Sequence, residues 1–146
     1  MNFCTHFDKN YIPHGLTLLD SLKNTTEDFL LHITCMDNYT FDYLSKINLT
    51  NVKLYKIQDV ESNIKGLSQA KINRNNVEYF FTCSPATCKN ILIKNPNINS
   101  ITYLDSDLYF FSSPKVISDE IKNSSIAIIE HKFHWITKRQ IKYGRF

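Results

Sequence analysis

No stretch of this chain is apolar for long enough to span a bilayer, and no charged-then-apolar leader opens it at Met1. Cys4, Cys35, Cys83 and Cys88 include no C-x-x-C pair, and His131 and His134 have no cysteine near them in sequence, so a zinc site is poorly supported. The expectation is free thiols in a protein of the reducing cytosol. Sequons beginning at Asn24, Asn38, Asn48 and Asn123 follow from a composition full of Asn, Ile and Lys rather than from secretion. Also absent are internal repeats, low-complexity tracts and an evident linker, which leaves one domain over residues 1–146, at the short end for an α/β enzyme. A net charge of +3 is too small an asymmetry to argue for nucleic acid without a basic stripe, though it suits an anionic small molecule. With 42% hydrophobic and 13% aromatic residues, the chain has enough apolar material to build a core.

Hydrophobic periodicity alternates along the chain. Asn2 to Phe7 reads as a strand, followed by a polar corner from Asp8 to Tyr11. Ile12, Leu16, Leu19 and Leu22 then recur at helical spacing, with Pro13 in the first turn. Phe29 to Cys35 reads as a second strand, Phe41 to Ile47 as a short helix, and Val52 to Ile57 as a third strand. This order predicts a mostly parallel sheet with helical crossovers. From Gln58 to about Asn76 the pattern lapses, and the stretch reads as a polar loop, either a lid over a site or a surface excursion. Val77, Phe80 and Phe81 resume an apolar helical face. Ser84-Pro85 reads as the cap and first-turn proline of a further helix carrying Cys88, Ile91 and Leu92, which Pro96 helps to end. Ser113-Pro114 repeats that device before a helix through Ile117 and Ile121, and Ser125 to Ile129 reads as a fifth strand.

The stretch from Ile101 to Pro114, ITYLDSDLYFFSSP, is where chemistry is expected. Ile101 to Leu104 carry no charge and read as a central strand buried on both faces, ending at Asp105 and Asp107. In open α/β sheets ligands lie beyond the carboxyl ends of the strands. In extended backbone, residues i and i+2 point the same way, so the two carboxylates can converge on one cation while Ser106 faces elsewhere. Carboxylate oxygens suit Mg2+ or Mn2+, which commonly share them with substrate phosphates. Asp-Ser-Asp is also ordinary turn chemistry. The uncharged strand before it and Tyr109, Phe110 and Phe111 after it favour the metal site, since a solvated turn seldom has apolar walls.

Three segments coincide in order: THFDKNYIPHGLTLLDSL, into which the first strand runs, FFTCSPATC opening the helix before the central strand, and YLDSDLYFFSSP at that strand's end. Together they resemble nucleotide-diphospho-sugar transferases of the GT-A fold, especially the branch similar to glycosyltransferase family 8 and bacterial lipopolysaccharide sugar transferases. The resemblance implies that Asp105 and Asp107 hold Mn2+ or Mg2+ against the donor diphosphate, with Ser106 near the ribose. It implies that Asp8, Asn10 and Tyr11 meet the base and ribose of a uridine-diphosphate sugar and that Thr5 and His6 line the same wall; His131, just past the fifth strand, is placed either to face a glycan acceptor or to serve as an ordinary packed or exposed histidine. Independently of it, Tyr11 offers a ring face to a planar base and Asp8 can accept from a base N–H or ribose hydroxyl, while either could instead serve a helix start. Relatives in family 8 retain anomeric configuration, but no nucleophile can be named from this sequence. Members of the family also continue past the point where this chain stops at Phe146, and their later part supplies acceptor contacts. The expectation is therefore a donor-binding half that transfers sugar poorly by itself.

Lys138, Arg139, Lys142 and Arg145 form a basic run with no acid among them, suited to a solvated helix face, a diphosphate or the inner face of an anionic membrane. A nucleotide-sugar binding module without turnover is the alternative function. A haloacid-dehalogenase-like phosphatase is disfavoured, because Asp107 is followed by Leu108 and Tyr109 rather than by Gly and Thr or Val, and because that motif belongs on a first strand.

Overall fold

β-Branched, aromatic and sulfur side chains fill the first strand, and it forms where the alternation places it, β1 at Asn2–Phe7. A computed structural model describes residues 1–121 of the chain, which divides into two units, Met1–Pro114 and Lys115–Phe146. Within the first unit β1, β2 (Leu30–Cys35), β3 (Val52–Lys56) and β4 (Thr102–Tyr103) form one sheet in the order β3-β2-β1-β4, with every neighbouring pair parallel. The expected α/β class with a parallel sheet and flanking helices is thus observed. The second unit begins with the helix α6 (Lys115–Ile121), directly after Ser113 and Pro114. The expected fifth strand at Ser125–Ile129, His131 and the basic run lie outside the described residues.

The strand order fixes how the chain crosses between the strands. The chain adds β2 and then β3 outward from β1 through α1 (Ile12–Thr25) and α2 (Asn38–Lys46), and returns to the far side of β1 through α3 (Ile57–Asn63), α4 (Leu67–Asn73) and α5 (Asn76–Lys94). Alternation along β1 then serves two cores. Phe3 and Phe7 join Leu18, Leu22, Leu31 and Ile33 on one face, whereas Cys4 joins Tyr55 and Ile91 on the other. Gly15 of α1 lies against the Phe7 ring, and a Cβ added there would overlap the ring's Cε1 and Cζ atoms.

Three expectations need correction. The stretch from Gln58 to Asn76 is not a loop, because a few apolar residues at its start and middle suffice to dock it: Ile57, Val60 and Leu67 are buried with Tyr79, Cys83 and Ala86. Glu61 Oε1 accepts from both Lys71 Nζ at 2.7 Å and the Tyr79 hydroxyl at 2.5 Å, tying α3, α4 and α5 together. Gly66, at φ +86°, supplies the left-handed residue that reverses the chain between α3 and α4. Ser84-Pro85 does not start a helix either. The start is nine residues earlier, where Asn75 and Glu78 form a reciprocal capping box, and Pro85 sits inside α5 on its exposed side. Its missing N–H leaves the Phe81 carbonyl, on the solvent side, without its helical donor. Finally, β4 is not a strand buried on both faces. It pairs over Phe3↔Thr102 and Cys4↔Tyr103, Thr102 is exposed, and among the described residues β4 is the edge of the sheet, with β1 and β2 at its centre.

Two predictions follow from this packing. Gly15→Ala should destabilise the fold by about 1–3 kcal/mol through overpacking against Phe7, measured as a lower urea midpoint; unchanged stability would show that the helix and strand can separate freely. The second concerns His32, fully buried in β2 with Nδ1 2.9 Å from the Tyr55 hydroxyl. Burial, with the Lys53 charge adding, lowers its pKa from 6.5 to about 4. The unfolded chain therefore binds the proton first, so stability is fully present above the unfolded value and is lost as pH falls toward the folded one. Unfolding free energy should decline between about pH 6.5 and 5, before most carboxylates titrate, and a flat profile there would contradict the burial of a neutral imidazole.

Candidate functional site

The order of the strands reverses at β1, which has β2 on one side and β4 on the other, and the crevice at such a switch point is where parallel α/β sheets bind ligands. Parallel strands end together, so the loops after β1 and β4 leave the sheet side by side. Between them and α5 lies a cleft of about 470 Å³. It is lined by His6, Phe7, Asp8 and Tyr11 from the first loop region, by Tyr103, Asp105, Ser106 and Asp107 from the other, and by Asn76, Val77, Phe80, Phe81 and Ser84 of α5. Six of the anticipated residues thus meet in one cavity although almost a hundred residues separate the two loops. A second hollow of about 370 Å³, between Leu44 and Leu54, is lined by one short segment with no carboxylate and no aromatic ring.

The corner after β1 is built by Asp8. Its Oδ1 accepts from the Asn10 N–H at 2.9 Å and its Oδ2 from Asn10 Nδ2 at 3.1 Å, capping a single 3-10 turn at Lys9–Tyr11. Asp37, beyond the end of β2, fastens this corner from outside. Its Oδ2 accepts from Lys9 N–H at 2.8 Å while its Oδ1 caps α2 through Thr40 N–H at 2.7 Å. Burial pushes the Asp37 carboxyl up, but the Thr40 and Lys9 donors outweigh it and hold the pKa below its ordinary value. Tyr11 is left 47% exposed at the start of α1, its ring 5.0 Å from that of His14.

After β4 the chain makes a turn rather than continuing extended, with Leu108 N–H donating to the Asp105 carbonyl at 3.2 Å. The turn chemistry of Asp-Ser-Asp is therefore real. It also corrects the expectation that Ser106 faces away, because in the turn Asp105, Ser106 and Asp107 all line the cleft. The aromatic run does not wall it. Phe110 packs on Phe3, with ring centres 6.5 Å apart, while Phe111 is 91% exposed and Tyr109 borders a shallow hollow shared with Pro13, His14 and Asp107.

Two anticipated residues do not reach the cleft. Thr5 is fully buried on the face of β1 shared by Phe3 and Phe7, opposite to His6, as strand alternation requires. Asn10 turns its amide back onto Asp8. His6 does reach it, 7% exposed and packed between Phe80 and Tyr103 with ring centres 5.9 and 5.5 Å away; its Nδ1 has no hydrogen-bond partner among the described residues. Burial lowers its pKa to about 4 against the pull of Asp105 and of a backbone hydrogen bond at Phe80, so the imidazole is neutral near pH 7. Burial pushes the Tyr103 hydroxyl up to about 12, with Ser84 opposing and Asp105 adding, so it keeps its proton as a donor.

The α5 wall went unrecognised in the sequence. Val77, Phe80 and Phe81 read only as an apolar helical face, yet Val77 and Phe81 are 65% and 75% exposed and turn toward the cleft. The available signal was Asn75 and Glu78, whose capping box fixes the helix phase. Chemically, the cleft offers two carboxylates, hydroxyl donors, a neutral imidazole and apolar ring surface. No lysine or arginine is among its described lining residues.

Among the described residues no three His, Cys, Asp or Glu side chains converge as a metal cluster, and no helix is long and apolar enough to cross a membrane. No family model matches the chain, and no solved structure matches it. Two proteins of Bacillus subtilis (strain 168) are similar to it. One, named uncharacterized protein YfnF, is 28% identical over 126 residues, which are 86% of this chain and 41% of that protein. The other, uncharacterized protein YfnD, is 28% identical over 134 residues, 90% of this chain and 42% of that protein. The chain thus spans about two fifths of the length of the curated relatives it matches.

Proposed function

We propose that the cleft binds a nucleotide-diphosphate sugar, with uridine as the preferred base, and that this chain forms the donor-binding part of a metal-dependent glycosyltransferase of the GT-A type. The observation that carries it is the combination at the switch point: Asp105 and Asp107 after one strand, Tyr11 after its neighbour, and no basic side chain among the described lining residues. A diphosphate cannot settle against two carboxylates by itself, and a divalent cation is the ordinary means of joining them. The donor set fits Mg2+ or Mn2+. Asp105 and Asp107 would hold the ion through hard carboxylate oxygens, the donor type these ions prefer and commonly share with substrate phosphates. When bound, such a cation neutralises charge on the departing nucleoside diphosphate as a Lewis acid.

The remaining roles belong to the chain itself. Tyr11, half exposed at the cleft rim, presents a face for the base, and Asp8 holds the corner that positions it. Nδ1 of His6, without a hydrogen-bond partner among the described residues, and the Tyr103 hydroxyl supply hydrogen bonds to ribose or sugar hydroxyls. Val77, Phe80 and Phe81 shield one side from water. Transfer also needs an acceptor oxygen held at the anomeric carbon, a positioning effect of about 7–11 kcal/mol in favourable cases. Binding of the donor without transfer is the corresponding function of this chain when that positioning is absent.

Calorimetric titration with uridine diphosphate tests the reading. Asp107→Ala should abolish the Mn2+-dependent part of the affinity while far-UV dichroism stays unchanged, because Asp107 lies in an exposed turn. Tyr11→Ala should weaken binding by about 1–3 kcal/mol and reduce the preference over guanosine diphosphate. Equal affinity in wild type and Asp107→Ala would remove the metal site.

A further inference from the structure

We propose that Cys4 and Cys88 form an oxidisable dithiol that takes a peroxide as its co-reactant and, on closing to a disulfide, pins α5 against β1 directly beneath the cleft. The sulfur atoms lie 3.4 Å apart, although 84 positions separate the residues. A bond of ~2.0 Å thus needs an approach of only about 1.4 Å between a strand and a helix already in contact. Cys4 is fully buried in β1, two residues before His6 and on the same face, while Cys88 is partly exposed on α5, one helical turn after Ser84. Both neighbours line the cleft, so a covalent tie at this level limits how far its α5 wall can move from its floor.

The pair is chemically unequal. The two thiols share a hydrogen bond in which either sulfur can be the donor, and it lowers the Cys88 pKa from its ordinary value while raising that of Cys4. Cys88 is thus the attacking group by both charge and access. Its thiolate attacks one peroxide oxygen; the O–O bond breaks, and the leaving oxygen departs as water after protonation. The product is a sulfenic acid at Cys88. The Cys4 sulfur then attacks the Cys88 sulfur, the S–O bond breaks, and the second water carries away the thiol proton. Two electrons pass from the two thiols to one peroxide. Cys35 and Cys83 are the internal controls, both buried and with burial pushing their pKa values up to about 12 and about 11.

The test is treatment of the full chain with hydrogen peroxide, followed by intact mass, non-reducing peptide mapping and amide exchange. The expected result is a loss of ~2 Da restored by a thiol reductant, one cross-linked species joining the Cys4 and Cys88 peptides, and slower exchange across residues 80–88 of α5 in the oxidised chain. Cys88→Ser, at the partly exposed end of the pair, should keep the fold and lose all three. Sulfinic acid at Cys88 without cross-link, or equal modification of Cys35 and Cys83, would overturn the dithiol. A cross-link with unchanged exchange across α5 would overturn its hold on the cleft wall.

Discussion

Parallel pairing on both edges of β1 is the constraint on which the rest of the molecule depends. The register with β2 runs from Asn2↔Leu30 to Phe7↔Cys35, and that with β4 holds Phe3↔Thr102 and Cys4↔Tyr103. Because parallel strands end on the same side, these pairings alone deliver Asp8, Asp37 and Asp105 to one edge of the sheet. A one-residue slip of β4 would exchange the two faces, taking Tyr103 away from His6 and moving the acidic turn off the cleft. The short ladder of β4 is backed by Leu104, whose N–H donates to the Cys4 carbonyl at 2.8 Å and whose side chain is buried in the main core.

The cleft balances opposite demands through burial. His6 and Tyr103 are both kept neutral by desolvation, so the only formal charges among the described groups near the floor are carboxylates that the turn leaves toward solvent. Neutral donors and acceptors close to a pair of acids can recognise hydroxyl groups. Asp37 plays a different part. It touches no lining surface, yet through Lys9 and Thr40 it joins the corner after β1 to the start of α2, so the residues that would meet a base are anchored to the framework.

Much of the fold was legible in the sequence because period-2 and period-3.6 patterns carry it: β1, β2 and β3 fall within a residue of where the apolar runs place them. Legibility failed where a few side chains outweigh composition. Ile57, Val60 and Leu67 suffice to fold a polar stretch into two helices, because each is buried and Glu61 ties the pieces together. Ser84-Pro85 misled because a cap signal is local, whereas the helix was already running from the stronger box at Asn75. At the site, the acids and the Asp8–Tyr11 corner were readable from residue type and position at strand ends. Thr5 was misassigned by ignoring alternation, and the α5 wall was invisible because an apolar face turned to a cleft has the same pattern as one turned to a core.

Paramagnetic broadening tests the central claim, a cation-bridged diphosphate at the Asp105–Asp107 turn, most directly. In the presence of uridine diphosphate, substoichiometric Mn2+ should first erase the amide signals of Asp105, Ser106 and Asp107, while Asp8 and Tyr11 shift with the nucleotide and the Leu44–Leu54 hollow stays sharp. Broadening centred on another part of the chain, or none at saturating nucleotide, would contradict it.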